Sequence, residues 1–367
     1  MQLHYLRKIP WVELDMLKKY KGGNYMKKMK AVSTFLLSGL LLLGGCSSNA
    51  GETPNANANG EEYEKTNIRL AYNLPADHHV AIGIEEFAKK VIEKSGGAIN
   101  VQVYPSGQLL SDKEMNQSIL TGGVEMGVNS STLWASTVPA MGIFDVPYVF
   151  TDYEGAGEAL NGELGDKLRA AMEEKGAKVI MFGDYGFAQF ANNKRPLESP
   201  EDFKGLKIRS IGDIPSVMIE AYGASPVFMG GGEVYMALQR KTVDGATSGT
   251  TAMLQRKYDE VTKYLTINNY AYLEFILAAN KKFWDGLPEK SQNLIMETAK
   301  ETEEWIRAQA KTEDERTAKE LEEKGMEVYR VPTEDYPIWK EAAKPAWDAF
   351  KKNAGELGTE LLELVDK

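Results

Sequence analysis

Apolar and polar positions follow two rhythms from residue 68 onward. Ile68–Tyr72 alternates with period two, as a half-buried strand does. Ala81–Ser95 instead places Ile84, Phe87, Ala88, Val91 and Ile92 on one helical face, and Gly96-Gly97 stops it. Ile99–Tyr104 alternates again and closes on Pro105-Ser106-Gly107. Lys113–Leu120 reads as helix ending at Gly122-Gly123, and Val124–Val128 as strand. The alternation resumes with Lys178–Phe182 as strand, Ser199–Leu206 as a short helical or turn segment and Lys207–Ser210 as strand. Helices are expected at Pro215–Tyr222 and Glu233–Gln239. Strand–helix–strand repetition of this kind predicts an α/β fold with a mostly parallel sheet covered by helices.

Pro288–Gly325 runs without internal Pro or Gly, with proline at its start and glycine at its end, the usual asymmetry of helix termini. A helix over this span is roughly 50 Å long. Its apolar residues thin out after Ile306. Such a helix outspans one lobe and is expected to brace two; the alternative is a pair of helices broken near Thr312. A last helix over Ile338–Lys352 carries Trp339, Trp347 and Phe350 behind Pro332 and Pro337.

Upstream the pattern changes. Lys27, Lys28 and Lys30 precede an apolar run over Ala31–Leu43, then Leu43-Gly44-Gly45-Cys46 and Ser47-Ser48. A basic start, a short apolar stretch and small residues before a cut site make a secretory signal over 26–45, too short for a span of about 20 residues. The tetrapeptide resembles a bacterial lipobox, which implies cleavage before Cys46 and diacylation of that cysteine, the only one in the chain. Residues 1–25 fit no signal pattern and read as a start-site artefact ahead of Met26. Residues 46–66 are nearly devoid of apolar side chains and are expected to be a flexible tether.

Composition narrows the function. The 367 residues carry a formal net charge of −10, but 1–45 hold eight basic residues against two acidic ones, so the remainder is strongly acidic. That leans against nucleic acid as a partner, which needs a basic surface. A single cysteine excludes an intrachain disulfide and any multi-cysteine metal site. Of three histidines, His4 lies before the signal, and His78 and His79 sit side by side in a loop, a poor metal pair suited to a solvated or helix-start role. No nucleophile elbow, H-E-x-x-H or phosphate-binding glycine loop occurs. Gly230-Gly231-Gly232 reads as a tight turn, with anion binding by its backbone as the alternative. Asp145, Asp213 and Asp244 lie near turns, where capping is the common role. No catalytic constellation, cofactor site or metal site is expected; the chain reads as an exported binder.

An ordered set of motifs then gives a resemblance: Val103-Tyr104-Pro105-Ser106-Gly107-Gln108-Leu109, Phe144-Asp145-Val146-Pro147-Tyr148-Val149-Phe150, Asn193-Lys194-Arg195-Pro196-Leu197, Gly205-Leu206-Lys207-Ile208-Arg209, Gly223-Ala224-Ser225-Pro226, Glu233–Gln239 and Val243-Asp244-Gly245. The series, covering about 68–365, resembles the solute-binding proteins of tripartite ATP-independent periplasmic (TRAP) transporters of the C4-dicarboxylate-binding type. The resemblance implies a two-lobed periplasmic-binding-protein-like fold with a ligand cleft, hinge strands and a long helix spanning both lobes. The lobes would be 68–185 with about 274–312, and 186–273 with about 313–367. It further implies a receptor that captures a small organic acid, delivers it to membrane permease subunits, is no enzyme, and is held outside the cell membrane by lipid on Cys46. A sensor serving a signalling partner and a binding protein of ABC type are the alternatives.

The family's signature ligand contact falls on Arg209, whose planar fork suits a carboxylate; pairing with a neighbouring acid is the competing role. Asn73, Ser130 and Ser248 correspond to pocket-lining positions, with Trp134 and Tyr235 as apolar walls. Two departures stand out: Ala188 where many members have a second arginine, and Gly230-Gly231-Gly232 where many have a bulky aromatic. The expectation is a pocket short of one positive charge and one aromatic wall, favouring a larger or less charged carboxylate than a small dicarboxylate.

Overall fold

The computed structural model describes residues 63–365; the signal, Cys46 and nearly all of the tether lie outside them. In chain order the elements are β1 (Thr66–Tyr72), α1 (His79–Lys94), β2 (Ile99–Tyr104), α2 (Asp112–Thr121), β3 (Met126–Ser130), α3 (Ser131–Trp134), α4 (Tyr153–Asn161), α5 (Glu163–Glu174) and β4 (Ala177–Asn192). They continue with β5 (Lys207–Ser210), α6 (Asp213–Ala221), β6 (Ser225–Phe228), α7 (Val234–Gln239), β7 (Gly245–Gly249), α8 (Thr250–Gln255), β8 (Tyr264–Asn280), α9 (Lys281–Asp285), α10 (Glu289–Glu323), β9 (Glu327–Arg330), α11 (Tyr336–Ala342) and α12 (Lys344–Val365).

One sheet, ordered β2-β1-β3-β8-β4-β7-β5-β6 with β9 on β8, joins the strands. It is mixed rather than mostly parallel. β1 is parallel to β2 and β3, and β5 to β6 and β7, but the long strands β4 and β8 run antiparallel to each other and to β3 or β7. These two strands run the whole depth of the fold. β3 pairs with the Phe275–Ala279 end of β8, while β9 pairs with its Tyr264–Ile267 end. Between those ends the β4–β8 register slips at Asp184/Gly186. Gly186 holds φ 107°, a conformation that favours glycine.

The long helix is continuous over Glu289–Glu323, without a break at Thr312. It is fastened to β4 on both sides of the slip. Glu303 accepts the Phe182 N–H (3.1 Å) and Arg307 pairs with Asp184 (3.2 Å) before it; Asp314 accepts the Phe187 N–H (2.9 Å) and the Tyr153 hydroxyl (2.7 Å) beyond it. Buried polar residues such as Asp314 and Thr317 therefore replace the apolar side chains that run out after Ile306. The expected last helix is two, α11 and α12. The latter packs on both the Pro139–Asp145 turn and α6, with Trp347 Nε1 donating to the Pro147 carbonyl (2.9 Å).

Candidate functional site

The parallel strands β1, β3, β5 and β7 all end at one cleft, where strand C-termini leave side chains free of the sheet. Asn73 follows β1, Ser130 ends β3, Arg209 sits on β5 and Ser248 on β7; these four expected residues come together around one cavity of about 60 Å³. That is room for about two waters at their liquid volume. It shares Asp112, Thr132, Leu133 and Phe228 with an outer hollow of about 470 Å³ that forms the mouth.

Arg209 is 5% exposed. Its Nε and Nη2 donate to the Met229 carbonyl (3.1 and 3.0 Å) and Nη1 to the Thr247 carbonyl (2.7 Å). A guanidinium has five N–H groups, so two remain, one on each terminal nitrogen. The competing role, pairing with an acid, does not occur: the arginine ion pairs of the described residues belong to Arg69, Arg169, Arg307, Arg316 and Arg330. Burial lowers the Arg209 pKa, and the nearby Arg256 charge lowers it further. A desolvated cation held only by carbonyls lacks a countercharge.

Trp134 and Tyr235 do not line the cavity. Trp134 is fully buried in the core, and Tyr235 lies at the surface with its hydroxyl on Glu260 (2.9 Å). The aromatic lining comes from Tyr185, Phe228 and Phe275 instead. Tyr185 stacks between His78 (centroids 4.7 Å) and Phe275 (4.9 Å), and its hydroxyl lies 3.2 Å from Ser248 Oγ. Tyr185 lies on β4 just before Gly186, and nothing in its local spacing marks it as a lining residue. Ala188 is buried away from the cavity, leaving no space there for ligand.

The glycine triplet is a turn, and the anion at its backbone belongs to the protein: Gly231 N–H donates to Asp112 Oδ2 (3.1 Å) across the cleft. Lys113 reaches the same loop, 3.4 Å from Glu233. The pocket is also not short of a cation, because Arg256, just past α8, lines it. Arg256 and Asp112 were missed because nothing in local spacing marks a residue that reaches the cleft from a helix end. His78 and His79 are buried rather than solvated. His78 Nδ1 caps α1 by accepting Val80 N–H (3.2 Å), and burial holds its pKa well below the ordinary value. Among the described residues no group of three or more His, Cys, Asp or Glu is placed to hold a metal, and no helix is long and apolar enough to cross a membrane.

An α/β body with a buried arginine, free of an acidic partner, at the strand ends beside a cavity has the form of a cleft-type binding protein. Comparison with known proteins specifies which. Residues 70–353 match the bacterial extracellular solute-binding proteins, family 7 (DctP). The C4-dicarboxylate-binding periplasmic protein DctP of Rhodobacter capsulatus is 32% identical over 291 residues, 78% of this chain and 87% of that protein. Two solved structures are similar. One is a TRAP periplasmic solute binding protein from Sulfurospirillum deleyianum with bound succinate, 28% identical at TM-score 0.77, covering 83% of this chain and 99% of that chain. The other, from Polaromonas, has bound D-erythronate: 27% identical, TM-score 0.76, covering 82% of this chain and 98% of that chain. The chain belongs to the DctP family of TRAP solute-binding proteins, and its fold is the two-lobed one of those structures.

Proposed function

We propose that this receptor captures a small organic acid in the cleft, with Arg209 taking its carboxylate, and hands it to the permease subunits of a TRAP transporter. The observation that carries the reading is Arg209 itself: buried, without an acidic partner, and with two N–H groups left at the cavity. Asn73, Ser130 and Ser248 supply neutral polar contacts around it. We place the lobe boundary at the register slip between Asp184 and Gly186, so that ligand bridging Arg209 on one side and Asn73 or Ser130 on the other favours the closed form. Cleavage before Cys46 and its diacylation would tether the receptor outside the membrane, since two acyl chains give stable anchoring.

Thermal shift with succinate, D-erythronate and D-galacturonate tests the ligand class. At least one acid should raise the melting temperature of wild type, and none that of Arg209→Ala. No shift with any acid, or an equal shift in the variant, contradicts the assignment. For the anchor, Cys46→Ser should lose membrane retention or accumulate as uncut precursor; normal retention contradicts it.

A further inference from the structure

Gly231 does not need to be glycine for its backbone conformation, since it is absent from the residues of positive φ. It needs to be glycine for space. A methyl there would fall 2.9 Å from both Cζ and Nη2 of Arg256, so the guanidinium rests directly on the bare backbone. Arg256 thereby lines the same cavity as Arg209, and fully buried Tyr258 feels both charges. Neither arginine has a carboxylate within ion-pair distance among the described residues. Asp112 meets the same glycine and also lines the cavity. One of its oxygens accepts Gly231 N–H, and the other makes no hydrogen bond to the described residues.

We propose that Arg209 and Arg256 jointly hold one ligand carboxylate while Asp112 accepts a ligand hydroxyl, so that the pocket selects a hydroxylated monocarboxylate over a dicarboxylate of the same length. The reasoning is charge balance. Two guanidiniums and one carboxylate leave a single positive charge, which one ligand carboxylate neutralises. A second ligand carboxylate would leave buried charge uncompensated and face Asp112. A hydroxyl group there donates to the free oxygen instead.

This inference rests on the cavity being the ligand site, so the experiment separates the two. Calorimetry uses D-erythronate and succinate, both four-carbon acids, on wild type and on variants first checked for wild-type circular dichroism. Wild type should bind D-erythronate at least about 10-fold more tightly. Arg256→Gln should weaken D-erythronate about 10- to 100-fold, the worth of a charge-assisted pair. Gly231→Ala, whose methyl would displace the Arg256 guanidinium, should lose affinity in the same direction, and Asp112→Asn should narrow or invert the preference against succinate. Tighter succinate binding by wild type, or D-erythronate affinity within about two-fold of wild type in Arg256→Gln, overturns the inference; if Arg209→Ala still abolishes binding, the receptor reading stands. Unchanged binding in Arg209→Ala overturns both; no binding of either acid at millimolar concentration overturns the inference, and the receptor reading with it only if D-galacturonate also fails to shift the melting temperature.

Discussion

Replacing Arg209 with methionine separates a ligand anchor from a structural arginine. The substitution keeps much of the side-chain length but removes the charge and three hydrogen bonds to two carbonyls, those of Met229 and Thr247. Stranding a buried acceptor costs about 1–3 kcal/mol each. Against that, the wild type keeps a cation in the interior without a counterion, an effective penalty of several kcal/mol that methionine avoids. The two effects offset, so the ligand-free variant should sit within about 2 kcal/mol of wild type. For a body of about 300 residues that is a melting-temperature change of roughly 3 °C, of either sign. Binding behaves differently. Removing one partner of a desolvated charge pair costs about 2–5 kcal/mol, or roughly 30- to several-thousand-fold in affinity for whichever of D-erythronate or succinate wild type prefers. Thermal unfolding without ligand and calorimetry with it give the two quantities. A ligand-free melting temperature lower by well over 10 °C would make Arg209 a structural residue; retained affinity would remove it from the site.

Other consequences follow from the frame. Gly186→Ala puts a side chain at φ 107° against the Asp314 carboxylate, and should cost about 2–4 kcal/mol in urea unfolding; a wild-type midpoint contradicts the tight strand–helix contact. Ile306→Ala opens a cavity where α10 packs closely on Gly83 of α1, with an expected loss of about 2–5 kcal/mol; a loss under about 1 kcal/mol means the site collapses. Burial pushes the Asp145 carboxyl up to about 7. With the folded value above the unfolded one, its contribution is complete below pH 4 and is lost as pH rises towards 7, on the order of 4 kcal/mol. Asp145→Asn, which still accepts the Thr132 hydroxyl, should flatten that slope in urea midpoints measured across the window; an unchanged slope refutes the burial argument.

Local signals were legible where the chain obeys one rule at a time. α1, β2, α2 and β5 lie within two residues of their expected bounds, because period and glycine stops agree there. The 35-residue α10 was legible from its termini alone. What stayed hidden was β8, whose 17 residues read as no single pattern because it is buried on both faces. The far half of β4 beyond Phe182 was missed for the same reason. At the cavity, the lining residues that stand at strand ends carry a local signal and those arriving from elsewhere do not. Arg209, Ser130 and Ser248 follow from their motifs, whereas Arg256, Asp112 and Tyr185 reach the cavity only through tertiary placement. Trp134 and Tyr235 failed as walls because an aromatic at helical spacing serves a core or a surface equally well.

The most direct test of the account is a crystal structure of the mature receptor grown with whichever of D-erythronate or succinate it binds. A carboxylate on the two free N–H groups of Arg209, at about 2.7–2.9 Å from Nη1 and Nη2, is the predicted result. An acid bound with its carboxylate elsewhere, Arg209 still facing only the Met229 and Thr247 carbonyls, would contradict it.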